Sequence, residues 1–442
     1  MRRVVVTGLG IVSPLGIGVE EHWAALISGR SAIARSRRLA EQGFPVDVVA
    51  EIPEEAIRKH LHRLPRKQVK LYSRVALFSM IGSSLAVEDA GLKSGATDPT
   101  RTGVFLGTFF TAFDFSVFLR WMAAAESQQF PQTMDLPKAS EYCISSINPL
   151  DYSLKTMPNL TAGHVAIAHN AQGFCRVIAD GCTGGLHAIG QAFLSIRENQ
   201  LDVAICGGAE APLEEFVFIN LCTLDFLAQD GKRAEKTCSP FDGSRSGAVL
   251  GEGAGLMVLE ELEHARKRGA RLYGEVLGYG STAGDAMISR QSSECSPEAK
   301  IDRIKERLGL SMRFALEQAQ LDRVDLIGAN GDSTKMHDLA ETQAIKEVFG
   351  LEANRIPVSA TKAMHGHMVS ASGVVELMSC LVALKRGIIP PTINLRKPDP
   401  LCDLDYVPNS PRPWPNKKTA LVNTVGLSGE SASIVVRRDC ED

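Results

Sequence analysis

Short apolar runs rich in β-branched residues recur along the chain, several of them beside glycine turns. They are RRVVVTGLG from Arg2, TGVFLGTFF from Thr102, CRVIADGC from Cys175, DVAICGGAE from Asp202, LIGANGDST from Leu326, RIPVSATKAM from Arg355 and ALVNTVGLSG from Ala420. Longer amphipathic stretches separate them. Strands that alternate with helices predict an α/β architecture with a buried sheet. The two halves of the chain also echo each other. In the first, a strand runs into Cys182 and then a helix; in the second, a strand through Val358 runs into TKAMHGHMVSASGVVELM. Weak repetition of this kind predicts a duplicated fold, with halves 1–262 and 263–442 meeting near the charged stretch EELEHARKRGARLYGE. The segment from Asp114 to Asn159 reads as a helical insertion able to cover a site, and GDAMISRQSSECSPEAKIDR as an exposed excursion.

A chain of 442 residues suits two domains or one large duplicated fold. Hydrophobic residues make up 44% and charged residues 22%, the balance of an ordinary soluble enzyme rather than of a disordered chain. The formal net charge is -3 and no block is strongly basic, so neither nucleic acid nor an anionic membrane is the expected main partner. The opening MRRVVVTGLGIVSPLG has the arginines of a signal peptide, but Thr7, Gly8, Gly10 and Pro14 interrupt its apolar run. It reads as a first strand and turn. Ten cysteines are scattered with no C-x-x-C and no metal-like pairing with histidine, which fits reduced thiols in the cytoplasm and no metal site.

One cysteine stands apart. Cys182 lies between a strand-like run and a helix-like run, with glycines at 181, 184 and 185. A helix starting at or just after it brings unpaired N–H groups and the positive end of the dipole near sulfur, favouring thiolate below the free value of about 8.5. The glycines let backbone and substrate approach closely. Buried cysteines are commonly inert small hydrophobes, and Cys175, Cys206, Cys222 and Cys380 are read that way. Taken alone, the context of Cys182 also suits esterase and reductase folds.

The rest of the sequence narrows the choice. In order, VVVTGLGIVSPLG, DGCTGGLHAIGQAF, GGAEA, SPFDGSRSGAVLGEGAGLMVLEELEHARKRGA, STKMHDLAETQAI, VSATKAMHGHMVSASGVVE and NTVGLSGESASIVV resemble the β-ketoacyl-acyl-carrier-protein synthases of fatty-acid and polyketide assembly. The resemblance covers essentially the whole chain. It implies the thiolase fold, two similar βαβαβαββ halves stacked as a five-layer α/β/α/β/α sandwich, in a homodimer or a ketosynthase-like heterodimer. It also implies a two-stage chemistry: an acyl group passes from a carrier-protein phosphopantetheine to the cysteine, then a malonyl thioester loses carbon dioxide and its enolate attacks the acyl-enzyme. No bound cofactor is implied beyond the carrier's phosphopantetheine. Carried over by resemblance, Cys182 is the nucleophile, His367 the second active-site histidine, Lys362 the structural lysine and Glu376 its carboxylate partner. The N–H groups of Cys182 and Leu427 form the acyl oxyanion hole, and Thr334 lines the pantetheine channel.

Several positions depart from the family pattern. Its first catalytic histidine stands in a run like AHGTST; here the run is ANGDST, with Asn330 for the histidine and Asp332 for a threonine of the channel. An asparagine amide can donate to a thioester oxygen but cannot act as a base or carry charge. An ionised Asp332 would repel an incoming malonyl carboxylate. Both changes put decarboxylative elongation in question. His365 stands where a threonine is expected. The gating loop, usually Gly-Phe-Gly-Gly, is Gly426, Leu427, Ser428 and Gly429, with Val425 replacing another phenylalanine before it. Phe110 occupies a place where members with deep acyl pockets carry a smaller side chain, so a short or reshaped pocket is expected.

Other polar positions are given plainer readings. His60, His62 and His187 read as ordinary surface or packed histidines, and His337 as a loop histidine bonded to backbone, although it lies near the altered loop. The glycines of VLGEGAGLMVLE read as turn packing, since no strand with a suitably spaced acid precedes them. RLPRKQVKLYSR gathers Arg63, Arg66, Lys67, Lys70 and Arg74, which divides evenly between a solvated helix face and a docking patch for an acidic acyl carrier protein. Beside the condensing enzyme, three alternatives stay open. They are a non-elongating acyltransferase, favoured by Asn330 and Asp332; a chain-length-factor-like partner, disfavoured by the retained cysteine; and a biosynthetic thiolase, disfavoured because the gating loop lacks a second cysteine.

Overall fold

The computed structural model of the chain describes residues 1–93, 95, 97–110, 115–127, 133–147, 154–224, 226–228, 233–284 and 296–438. The expected alternation of strands and helices is present in both halves. The first contains β1 (Val4–Ser13), α1 (Arg74–Asp89), β2 (Thr102–Gly107), α2 (Pro158–Ala168), β3 (Cys175–Ile178), α3 (Gly184–Arg197), β4 (Val203–Glu210) and β5 (Gly253–Glu261). The second contains β6 (Gly274–Thr282), α4 (Pro297–Ala319), β7 (Leu326–Gly328), α5 (Lys335–Phe349), β8 (Val358–Ser359), α6 (Ser372–Arg386), β9 (Thr419–Val425) and β10 (Ser431–Arg437). Each half thus reads βαβαβαββ. A short helix, Leu262–Lys267, joins them within the charged stretch.

The strands follow the order β3-β2-β4-β5-β1-β6-β10-β9-β7-β8. Outward from β1 and β6 the order is the same on both sides. These two first strands pair antiparallel, Val4 opposite Val276 and Val6 opposite Gly274, and join the half-sheets. Helices α3 and α6 lie between the half-sheets, where α6 is buried from Ser372 through Leu384. Helices α1 and α2 cover the outside of one half-sheet, α4 and α5 that of the other. The apolar side chains accordingly gather in a central cluster and one under each outer helix pair. These are the five layers that the resemblance implied.

The duplication extends to one packing device. In β1, a Cβ on Gly10 would lie 1.9 Å from the Gly82 carbonyl oxygen of α1, and one on Gly8 2.1 Å from that of Ala86. In β6, a Cβ on Gly278 or Gly280 would lie 2.0 Å from the Ala315 or Ser311 carbonyl oxygen of α4. Both outer layers sit this close only because the strand beneath bares its backbone. Helix ends are fixed locally. Ser73, Ser296 and Thr334 accept hydrogen bonds from N–H groups three residues on, which starts α1, α4 and α5. Gly387, at φ 66° in the left-handed region, ends α6.

Of the insertion from Asp114 to Asn159, Phe115–Ala125 and Leu136–Ser146 are helical and pack on each other, while residues 111–114, 128–132 and 148–153 lie outside the described set. The expected exposed excursion needs correction at its end. Residues 285–295 lie outside the described set, but Ser296 caps α4 and the residues from Pro297 to Arg303 form its first turns. A serine before Pro-Glu is a helix start, which outweighs the polar composition of the tract.

Gly10→Ala is expected to cost about 1–3 kcal/mol or more, because the added methyl meets a backbone carbonyl that moves only with its helix. Chemical denaturation would check this; a midpoint equal to that of the wild type would show that α1 rides freely on β1.

Candidate active site

The carboxyl ends of β2, β3 and β4 meet the turns before α3 and α6 at a cavity of about 480 Å³. Cys182 and His367 line it together, one from each half of the chain. Phe109, Phe110 and Phe226 form an aromatic wall, and Leu427, Ser428 and Glu430 come from the glycine-rich turn after β9. Of the gating loop, Gly426 and Gly429 close that turn through a hydrogen bond of 3.0 Å from Gly429 N–H to the Gly426 carbonyl.

Cys182 lies in a tight turn, Gly181–Thr183, directly before α3. Gly181 takes φ 52°, in the left-handed region that glycine enters freely. The turn is tied to the centre of the molecule. The Ser370 hydroxyl donates within 2.7 Å of the Gly181 carbonyl oxygen and also lies 2.9 Å from Glu210 Oε2. Glu210, fully buried at the end of β4, accepts from the N–H groups of Phe109 (2.9 Å) and Phe110 (3.1 Å), so one carboxyl fixes both the cysteine turn and the aromatic wall. Burial pushes that carboxyl up to about 7 against these donors.

The expectation of a lowered Cys182 pKa needs correction. Burial pushes the thiol well above its ordinary value, Glu430, Asp332 and Glu210 push it the same way, and Lys362 opposes them. The helix starts at Gly184, two positions past Cys182, while the surroundings of the thiol are dry and hold carboxylates. Cys182 therefore rests as a neutral thiol.

His367 is buried and neutral. Val369 N–H donates to its Nδ1 at 3.0 Å, which leaves the hydrogen on Nε2, and that nitrogen has no partner among the described residues. Burial and Lys362 push its pKa down to about 3. Lys362 and Glu376 do not form the direct pair expected of them. The Lys362 ammonium donates to the Asn330 carbonyl oxygen, whereas Glu376 is held by the Thr361 hydroxyl and, at 3.3 Å, by Thr361 N–H. They sense each other only through the field. The carboxylate that orders the Asn330 loop is Glu341, which accepts from Asn330 N–H and Gly331 N–H, each at 2.9 Å.

Asn330 is not among the cavity-lining residues, and neither are Asp332 and Thr334. The Asn330 side chain is turned into the loop: Oδ1 accepts from Val425 N–H at 3.2 Å and Nδ2 donates to Asp332 at 3.0 Å. Thr334 caps α5. His337 is helical rather than in a loop, and its Nδ1 lies 2.5 Å from Asp332, a side chain rather than backbone. Although burial works against both charges, His337 holds the Asp332 carboxyl below its usual range and Asp332 raises the His337 imidazole. The carboxylate expected to repel a malonyl group is thus paired.

His365 faces away from the cavity. Its Nδ1–H donates to the Gly366 carbonyl at 2.8 Å, so Nε2, 3.0 Å from Thr361 Oγ1, accepts the Thr361 hydroxyl hydrogen. The contact of that hydroxyl with Glu376 is then closed by a proton on Glu376, whose pKa burial pushes up to about 7. His187 departs from its plain reading, since it lines the cavity with its Nδ1 2.7 Å from Asp180.

Glu430, Glu210, Ser370 and Phe226 carried no sequence signal that singled them out. Glu430 accepts from Ser428 N–H at 3.0 Å, and a Cβ on Gly181 would lie 3.1 Å from its Oε1. The closest trace of such residues is a charged or polar position at the end of a strand or in the turn after it, as in GGAEA and GLSGES. Among the described residues no cluster could hold a metal ion, and no helix is long and apolar enough to cross a membrane.

Known proteins share this framework. The family profile described as Beta-ketoacyl synthase, N-terminal domain, matches residues 1–265, and that described as Beta-ketoacyl synthase, C-terminal domain, matches residues 273–396. The chain is 34% identical over 441 residues to 3-oxoacyl-[acyl-carrier-protein] synthase 2 of Coxiella burnetii, covering 99% of each. Among solved structures it resembles a ketosynthase bound to the hexaketide, in complex with its type II polyketide acyl carrier protein (TM-score 0.82, 29% identity, 99% of this chain and 100% of that one). It also resembles the ishigamide ketosynthase/chain length factor (TM-score 0.80, 28% identity, 99% of each chain). These relatives carry the thiolase fold, with the same mixed sheet and layered helices.

Glu376 generates a pH test. Its folded pKa is raised from 4.5 to about 7, so the folded state holds the proton more tightly than the unfolded one. Stability is then unaffected by this group below the unfolded value and falls as pH rises from there to the folded value. Glu376→Gln is expected to shrink the stability difference between pH 5 and pH 8 by roughly 2–3 kcal/mol. Denaturation curves at the two pH values check it, and an unchanged difference would refute the protonated Glu376.

Proposed function

The chain belongs to the β-ketoacyl synthase family, and on that premise we propose that it is a condensing enzyme acting on carrier-protein thioesters in fatty-acid or polyketide assembly. The observation that carries this is the meeting of Cys182 and His367 in one cavity beside the turn that holds Leu427. Cys182 sulfur attacks the acyl thioester carbonyl, the carbon–sulfur bond to phosphopantetheine breaks, and the thiol proton leaves with the carrier thiolate. The N–H groups of Cys182 and Leu427 receive the oxyanion of this step. Next, malonyl thioester loses carbon dioxide, and the enolate carbon attacks the acyl group on Cys182. Cys182 sulfur departs as thiolate and regains a proton from water, as the raised thiol pKa favours. His367 Nε2–H, which has no partner among the described residues, donates to the enolate oxygen in this reaction.

The partner of this chemistry is an acyl carrier protein that brings both substrates on its phosphopantetheine arm. Arg66, Lys67 and Lys70 are exposed and suit an acidic carrier. The other two members of that basic stretch are engaged, Arg63 with Glu88 and Arg74 with Glu54 and Glu252. A second subunit, a copy of this chain or a related one, is expected along β3, an edge strand with exposed residues Cys175 and Arg176. The division at 262/263 falls between β5 and β6, and the cytoplasm is the expected compartment.

Intact-mass analysis with a panel of acyl-carrier thioesters, followed by malonyl-carrier protein, tests the reading. Acylation followed by carbon dioxide release and a chain two carbons longer is expected. Acylation without release would instead mark a non-elongating acyltransferase or a chain that needs a partner subunit. Cys182→Ala is expected to abolish loading with the fold intact, and loading retained in that variant would remove the nucleophile assignment. Phe110 narrows the aromatic wall, so Phe110→Ala is expected to shift the preferred acyl length upward. If the wild type already loads long chains fastest, the pocket is not short.

A further inference from the structure

The site that replaces the expected first histidine is not Asn330 alone. Asn330, Asp332 and His337 form one hydrogen-bonded unit, with Asn330 Nδ2 3.0 Å from Asp332 Oδ2 and His337 Nδ1 2.5 Å from the same oxygen. Thr334 N–H holds the other carboxylate oxygen at 2.9 Å, and Thr334 Oγ1 accepts from His337 N–H at 3.1 Å. The imidazole is thus fixed at its Nδ1 and at its backbone. Its Nε2 is buried and has no partner among the described residues, as is true of Nε2 on His367. Both rings pack on Phe226 of the cavity wall, with centroids 6.2 Å away for His337 and 5.6 Å for His367. A buried polar nitrogen without a partner is costly, and two of them packed on the same aromatic residue of the cavity wall call for a shared partner.

We propose that His337 is the second imidazole of the condensing centre, and that its Nε2–H joins that of His367 in binding the thioester oxygen of a malonyl group as it loses carbon dioxide. This rests on the condensing reading of the site. His337 is not among the cavity-lining residues, so the oxygen reaches its Nε2 only when the Phe226 ring, packed on both imidazoles, turns aside. The carbon–carbon bond to the carboxylate breaks, its electron pair forms the enolate, carbon dioxide leaves neutral, and the two N–H groups hold the enolate oxygen. Asp332 positions His337: it takes Nδ1–H and favours the charged ring, whose Nε2 then carries a hydrogen. A neutral ring held through Nδ1–H would offer only a lone pair there. The exchange of histidine for asparagine at 330 thereby moves the imidazole to the next helix rather than removing it.

The test compares wild type, His337→Gln and His337→Ala with intact-mass loading by an acyl-carrier thioester and with carbon dioxide release from malonyl-carrier protein. Loading is expected to stay within about twofold of wild type while release falls by about 10²–10³-fold, the usual cost of losing an oxyanion donor. Release at the wild-type rate in either folded variant would overturn the proposal and leave the condensing reading standing. Wild type that loads but releases nothing would overturn the role of His337, and wild type that does neither would overturn the condensing reading with it. Should the variants fail to fold, wild type labelled with ¹⁵N-histidine and mixed with a non-hydrolysable malonyl-pantetheine amide is the decisive sample. The His337 Nε2–H signal is expected to move on binding, and a signal that stays put overturns the proposal. In Asp332→Asn the His337 ring nitrogens are expected to change from an imidazolium to a neutral pattern at neutral pH, whereas an unchanged pattern would deny Asp332 its positioning role.

Discussion

The structure depends on one close approach at its centre. The Ser370 carbonyl oxygen sits so near α3 and β4 that a Cβ on Gly185 would lie 2.1 Å from it and one on Gly208 2.2 Å. The Ser370 hydroxyl, meanwhile, reaches the carbonyl of Gly181. One residue of the second half is therefore locked against the strand and helix that carry the nucleophile of the first. His367 stands three positions before it and α6 begins two positions after it. The distance between Cys182 and His367 is consequently set by backbone packing, which does not relax as a side-chain contact would. Glycine at 185 and 208 is what permits it.

Around that junction the site is dry and rich in ionisable groups. Burial acts on several of them in the direction of neutrality: the Cys182 thiol and the Glu210 and Glu376 carboxyls move up, and the His367 and His365 imidazoles move down. The exception is the Asp332–His337 pair, where contact at 2.5 Å outweighs desolvation and keeps opposite charges side by side. A site built this way stores its reactivity as neutral donors and a neutral thiol. His337 of that pair and His367 both pack on Phe226 of the cavity wall. Residues outside the cavity thus contribute through orientation and field, Glu341 by ordering the Asn330 loop and Glu210 by tying the cysteine turn to Phe109 and Phe110.

The expectations that failed have a common physical origin. The lowered thiol was reasoned from the local turn, the Lys362–Glu376 pairing was carried over from the family resemblance, and the repelling Asp332 was read from a departure from the family pattern. Their outcome was decided by contacts that folding makes, some near and some far along the chain. Glu430 lies 248 positions from Cys182 in number yet acts on its thiol. Asn330 takes the ammonium of Lys362, and Thr361 takes the carboxyl of Glu376. His337 is close to Asp332 in sequence, but only the cap that starts α5 at Thr334 turns its ring toward the carboxylate. Its loop reading failed because a threonine before a helix leaves no mark on polarity patterning.

By itself, the sequence determined the α/β class, the duplicated order of strands and helices, and the position of Cys182 between a strand and a helix. Each of these follows from local periodicity and glycine placement, which act over a few residues and are written along the chain. Motif order likewise brought out His367 and the glycine-rich turn at Leu427. What only tertiary structure decided is the electrostatic state of the site and the partner of every buried polar group. Those depend on distance and desolvation between groups that only folding brings together, and no one-dimensional pattern encodes either.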